Sequence, residues 1–270
     1  MNGRARIQRG NFFSNLSITN KIIAANVFFY LISIFVLLQF GEKFFLDNFA
    51  LTPQFIFQGK SVWTLLTSMF SHVLFFHIFA NMFSLFFIGN FLERIIGKKR
   101  LVLLYLLSGL MGGIFFASSG IIFGDNSPGV GASGAIFGLL GVLAVLVPYS
   151  KIYLIVGPLL LILINVVATP YLPAAFASAF GLLLNVLIFV MIFAMFSFNS
   201  GMRKFAIPLE LSMWMLPIVA IVPLVIIGFF VPLPIGNSAH IGGLVLGLAY
   251  GLYLRNKFPR KTKMLSQHFR

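Results

Sequence analysis

Hydrophobic residues in this chain fall in long blocks nearly free of charge. They lack both the three-to-four-residue rhythm of a half-buried helix and the alternation of a half-buried strand. The blocks cover residues 22–40, 74–93, 101–122, 133–147, 152–170, 175–197, 208–230 and 239–254. Most approach the ~20 apolar residues that a membrane-spanning helix requires. The pattern predicts an all-α polytopic membrane protein with eight spans. One block is too short: 133–147 holds 15 residues, which reach roughly 22 Å at the rise of an α-helix against a ~30 Å hydrocarbon core. Such a helix starts beneath the membrane surface, so the loop ahead of it, "DNSPGVGA", has to dip inward. Irregular backbone at that depth is tolerated only inside protein or beside a water-filled cavity. This places Ser133, at the junction of loop and helix, on the floor of a wet cavity.

The basic residues set the topology. Of the 19 Lys and Arg residues, only Lys43 and Lys60 lie outside the two termini and the alternate loops between blocks. Positive loops stay in the cytoplasm, so both termini are expected there. The outer loops are then 41–73, 123–132, 171–174 and 231–238. The first of these carries Phe44, Phe45, Phe49, Phe55, Phe57 and Trp63 and is expected to lie in the interface as amphipathic structure. Basic residues precede the first block as they would precede a signal peptide. That block has the length of a full span and no small-residue cleavage pattern after it, so it reads as an uncleaved span. The organisation expected is a basic cytoplasmic segment at 1–21, a membrane domain at 22–256 and a basic cytoplasmic tail at 257–270.

Composition agrees and narrows the chemistry. The chain is 60% hydrophobic and 9% charged, with a mean hydropathy of +1.03, where soluble domains carry roughly 25% charged residues. The net charge of +14 is spent on topology and on anionic lipid head groups. No basic face with interleaved aromatics points to nucleic acid. The absence of cysteine removes disulfides, thiol catalysis and zinc–thiolate sites, and no cofactor or metal is expected.

Ionisable groups in spans are functional candidates. The topology puts His72 and His77 at the outer start of the second span, Ser133 at that of the fourth and His240 at that of the eighth. Glu93 falls at the inner end of the second span beside Arg94 and the lysines, where an ion pair is expected. Taken singly, the serine reads as packing or a helix cap and each histidine as a structural polar group. Together they bring Ser and His to one level on one side of the membrane, which suggests acyl transfer with imidazole as the proton acceptor. An oxyanion then needs donors. His77 and Asn81 share a helical face, and the Ser133 amide is unpaired at a helix start. Gly134, Gly138 and Gly141 on one helix, and Gly243, Gly247 and Gly251 on another, would let the two helices approach closely. Gly131 and Gly134 flank the serine and would let a substrate backbone approach it.

At these residues the chain resembles the rhomboid family of intramembrane serine proteases. The matching stretches are "GASGAIFGLLG", "HVLFFHIFANMFSLFFIGNFLERIIGKKR", "NSAHIGGLVLG" and, in the first outer loop, "VWTLLTSMFSH". The resemblance implies Ser133 as nucleophile and His240 as general base, with His77, Asn81 and the Ser133 amide as oxyanion donors. It further implies that Phe137 packs against the catalytic histidine and that His72 supports the first loop or holds water. His72, five residues from His77, would lie about 140° round a helix from it and stays outside the catalytic set. Trp63 is followed by Thr64 where the family usually has arginine. A six-helix rhomboid core needs one helix between Ser133 and His240, whereas three blocks lie there; 208–230 is read as the core helix and 152–197 as an inserted transmembrane hairpin.

The function expected is a protease that cleaves transmembrane proteins near the extracytoplasmic side, with water entering above Ser133. By the same resemblance, a gate beside 208–230 under the loop before 239 would admit substrate. The localisation expected is the cell membrane, the partners expected are transmembrane substrates and lipid, and the pattern sets no oligomeric state. Two other readings compete: a catalytically inactive, client-binding relative, and a transporter with His77, Asn81 and His240 along a polar path.

Overall fold

The computed structural model of the chain describes residues 16–195, 207–230 and 236–269. The sequence expectations for Arg4, Arg6, Arg9, Arg203, Lys204, Arg270 and most of the loop at 231–238 lie outside the described residues.

Among the described residues, three helices are long and apolar enough to cross a membrane: α1 (Ile18–Asn48), α4 (Phe75–Ile96) and α5 (Lys98–Phe123). α1 starts where Ser17 caps it, the Ser17 hydroxyl accepting from the Asn20 amide at 3.1 Å. It breaks at Gly41, whose φ of +81° interrupts the helical backbone. α4 and α5 are separated by Gly97 alone, at φ +82°. Between α1 and α4, the first long loop carries two short helices, α2 (Pro53–Phe57) and α3 (Thr64–Thr67). Trp63 points outward and is 53% exposed. Thr64 is buried, and its hydroxyl donates to the Ser61 carbonyl at 2.7 Å.

α6 (Ser133–Leu146) is the axis of the molecule. Its 14 residues give roughly 21 Å, and Gly134 through Leu143 are all buried. A helix that is apolar on every side belongs in the middle of a bundle. α4, α5 and α10 (Asn237–Lys257) pack around it, α10 most extensively.

The connection between α6 and α10 differs from expectation at two places. The predicted blocks 152–170 and 208–230 do not begin as helices. Lys151–Ile155 (β1) and Pro208–Ser212 (β2) pair as antiparallel strands in the register Lys151↔Ser212 to Ile155↔Pro208. The stretch KIYLI is rich in β-branched and aromatic residues, which favour strands. Pro208 stands first in its strand, where a missing amide is tolerated. Lys151 and Glu210 form an ion pair at 3.3 Å across the ribbon. Beyond it lie α7 (Val156–Ala168), a 3-10 turn at Thr169–Tyr171 and α8 (Ala174–Met195), which pack on each other. After β2, a 3-10 turn at Met213–Met215 leads into α9 (Leu216–Phe230), which touches α6 and α10. The tail is also more ordered than a basic extension. Its residues form α11 (Pro259–His268), and Phe269 stacks edge-on against Phe91 at 5.1 Å.

Candidate active site

Ser133 is the first residue of α6, so its amide is among those that find no partner inside the helix. The loop ahead of it is held by the first long loop. Leu51 and Gly129 exchange two backbone hydrogen bonds of 2.9 Å, and the Gly131 amide donates to the Ser68 carbonyl at 2.8 Å. Gly131 has φ +129°, and a Cβ there would lie 2.6–2.7 Å from the His77 ring. Both the conformation and the space require glycine at this position.

His240 comes from the first turn of α10, and its Nε2 lies 2.8 Å from the Ser133 hydroxyl oxygen across a sequence separation of 107 residues. The ring is 6% exposed and stacks on Phe137, with centroids 4.4 Å apart and planes inclined by 19°. Phe137 follows Ser133 by one turn on α6, so one helix supplies both the hydroxyl and the surface against which the imidazole rests. The other ring nitrogen, Nδ1, is buried without a hydrogen-bond partner among the described residues. Stacking, in place of a carboxylate, orients this histidine.

The approach of α10 to α6 depends on glycines at the contact. A Cβ on Gly243 would collide with the carbonyl of Gly134, and one on Gly247 with that of Gly138. Gly141 meets the Leu248 amide and the Leu244 carbonyl at 2.8–2.9 Å from an added Cβ. Gly112 of α5 lies equally close to the Ala239 carbonyl, one residue before the histidine. Small residues at every crossing bring the backbones within reach of a serine–histidine hydrogen bond.

His77 lies in the first turn of α4 against Gly131, and Asn81 follows one turn later, buried, with its amide donating to the His77 carbonyl at 2.9 Å. Each amide nitrogen carries two hydrogens, so Asn81 retains a second donor. His72 stands before α4, not on it, and the helical angle that separated it from His77 does not apply. The two rings are in contact, with centroids 5.0 Å apart. Its Nδ1 lies 3.2 Å from the Phe70 carbonyl, and its Nε2 accepts from the Ala132 amide at 3.4 Å. Together these contacts set the tautomer with Nδ1 protonated. His72 thus grips the residue before the nucleophile, a role the spacing in sequence did not disclose. Burial, reinforced by the neighbouring His77, pushes its pKa down to about 4.

The sequence between these points has known relatives. A family model for the rhomboid domain matches residues 59–193, half of the chain. The chain belongs to the rhomboid family. Among curated proteins, RHOMBOID-like protein 1 of Arabidopsis thaliana is 45% identical over 92 residues, covering 34% of this chain and 23% of that protein. Rhomboid protein 1, mitochondrial, of Saccharomyces cerevisiae is 36% identical over 101 residues, covering 35% of this chain and 28% of that protein. Inactive RHOMBOID-like protein 8 of Arabidopsis thaliana is 37% identical over 84 residues, covering 31% of this chain and 23% of that protein. The chain thus spans only about a quarter of the length of these relatives. As a rhomboid with three membrane-length helices, it is an integral membrane protein.

Proposed function

We propose that this rhomboid is an intramembrane serine protease that hydrolyses peptide bonds of transmembrane proteins near the extracytoplasmic face. The observation that carries the reading is the 2.8 Å contact between Ser133 Oγ and His240 Nε2. A relative named as inactive makes client binding without cleavage the competing reading. A half-buried serine bonded to a buried histidine, with donors nearby, favours chemistry.

In this mechanism His240 Nε2 takes the Ser133 hydroxyl proton as Oγ attacks the scissile carbonyl carbon. The carbonyl oxygen becomes an oxyanion, met by the Ser133 amide, His77 and Asn81. As the carbon–nitrogen bond breaks, His240 returns the proton to the departing amine, leaving an acyl ester on Ser133. Water then attacks the ester while His240 accepts its proton; that proton reaches Oγ as the acid is released. A helical substrate must unwind locally, because its carbonyls are otherwise hydrogen-bonded and shielded. Substrates with small or helix-breaking residues near the cut are therefore preferred.

The positive-inside pattern supports cytoplasmic termini in a cell membrane, with Ser133 reached from outside. The inserted unit 152–197 is read as a transmembrane hairpin held at its neck by the β1–β2 ribbon, and α9 as the core helix beside the substrate entrance. The test is cleavage of a tagged transmembrane substrate by the wild type and by Ser133→Ala, together with labelling by a fluorophosphonate probe. Loss of both in the variant is expected. Cleavage that survives in Ser133→Ala overturns the mechanism, and an unlabelled wild type that still retains its clients favours the binding role.

A further inference from the structure

At the end of the bundle away from Ser133, the start of α1 and the end of α4 enclose a groove of about 360 Å³ lined by Asn20, Phe86, Phe87, Asn90, Phe91 and Arg94. Arg94 lies 17 residues along α4 from His77, roughly 25 Å at 1.5 Å per residue, so the groove is nearly a membrane thickness from the candidate catalytic residues. We propose that this groove binds one anionic phospholipid, with its phosphate on Arg94 and Asn20 and an acyl chain on the phenylalanines.

The chemistry of the wall divides as such a lipid divides. Arg94 is exposed and forms no ion pair among the described residues. The carboxylate next to it, Glu93, is turned inward and taken up by the Ile18 and Thr19 amides and the Thr19 hydroxyl. The guanidinium is therefore left free for a phosphate, whose oxygens it matches with two parallel donors. Asn20 is fixed from one side, its Oδ1 accepting from Asn90 Nδ2 at 3.3 Å. Its own Nδ2 hydrogens have no partner among the described residues and supply a neutral donor beside the charge. Asn90 is immobilised in turn, accepting from the Ser17 hydroxyl at 2.8 Å and donating to the Phe86 carbonyl at 2.7 Å. One helical turn toward the membrane centre the polar groups stop. Phe86 and Phe87 are 47% and 51% exposed and meet edge to face at 5.2 Å, and Phe87 continues onto Phe83 at 4.9 Å. These rings form an apolar strip at the depth of an acyl chain.

Charge complementarity selects the occupant. The groove contains one cation and no carboxylate, and Lys21 is exposed on the adjoining turn of α1. Anionic lipids are drawn to juxtamembrane basic groups with about 1 kcal/mol per residue. A zwitterionic head group would set its ammonium against Arg94 and Lys21. A free phosphate would leave the phenylalanine strip unused. The leaflet concerned follows from the topology proposed above; the preference for an anionic lipid does not depend on it.

The experiment uses the purified full-length protein in detergent, with added phosphatidylglycerol, phosphatidylethanolamine or inorganic phosphate. Native mass spectrometry counts retained lipid and thermal unfolding measures the response. The wild type is expected to retain one phosphatidylglycerol and to gain several degrees in unfolding midpoint, because a ligand that binds only the folded state stabilises it. Arg94→Gln should lose both effects, and Arg94→Lys should keep part of them. The site is overturned if Arg94→Gln behaves as the wild type, or if phosphatidylethanolamine serves equally well. Inorganic phosphate giving the same shift, or Lys261→Gln with Lys263→Gln abolishing retention instead, also overturns it. The first would mean a free-anion site and the second a diffuse basic surface.

Discussion

Gly243 of α10 rests against the carbonyl of Gly134, the residue directly after the candidate nucleophile. The contact is backbone to backbone, so nothing flexible can yield to an added methyl. Overpacking a core usually costs about 1–3 kcal/mol, and Gly243→Ala should reach the upper end of that range while pushing His240 away from Ser133. The expected result is a lower unfolding midpoint and loss of fluorophosphonate labelling. Gly181→Ala in α8 is the matched control, because a Cβ there meets only Asn165 Oδ1 at an ordinary 3.7 Å. Equal behaviour of the two variants would show that the α6–α10 approach is looser than described.

Asn81 separates transition-state stabilisation from assembly of the site. Its side chain is buried, yet among the described residues it bonds only locally, to the His77 carbonyl. Removing an oxyanion donor costs typically about 10²–10³ in kcat. Asn81→Ala should therefore lower kcat by about that factor with little change in KM, leaving the Ser133–His240 contact intact. Steady-state cleavage of a reconstituted substrate checks this. An unchanged kcat would remove Asn81 from the oxyanion set.

Glu93 holds the bundle together at the opposite end. Three donors from the start of α1 converge on its carboxylate at 2.8–3.0 Å, across more than 70 residues of sequence. Hydrogen bonds to a charged group contribute about 1.5–3 kcal/mol each, and an orphaned buried donor adds its own penalty. Glu93→Gln sets an amide NH2 against amide donors, and should destabilise by at least about 1.5 kcal/mol. Thermal unfolding in detergent reads this directly. An ion pair with Arg94 instead would leave Arg94→Gln equally destabilised, whereas that variant is expected to be near neutral without anionic lipid.

The site was more legible in the sequence than the frame around it. Ser133, His77 and His240 could be set at one level because topology needs only block lengths and the sign of loops, and glycine spacing then announced close helices. The pairing of 151–155 with 208–212 was hidden, since strand partners so far apart leave no local signal and both stretches continue an apolar block. The role of Glu93 was hidden for a related reason. Its sequence neighbour Arg94 lies about 100° away round the helix, while its true partners come from α1. The span count rests on hydropathy beyond the three membrane-length helices, and α6 is central despite being too short to span. For His72 only the helical angle from His77 fails, because the helix begins at Phe75; its contacts with the Phe70 carbonyl and the Ala132 amide are those of a loop-supporting residue.

That residue gives a pH dependence with a definite sign. His72 titrates at about 4 in the folded protein, chiefly through burial, and at about 6.5 when unfolded. Between those values the unfolded chain holds the proton and the folded chain does not, so stability falls as pH drops from about 6.5 toward 4. Protonation would also turn Nε2 into a donor facing the Ala132 amide, loosening the loop that presents Ser133. His72→Gln should flatten the slope of unfolding midpoint against pH in that window by up to one proton, with His77 left as it is. It should also slow fluorophosphonate labelling at neutral pH, where the wild type is fully assembled. Parallel midpoint curves for the two proteins would mean that another group sets the acid response. Unchanged labelling at pH 7 would mean that His72 does not position the serine.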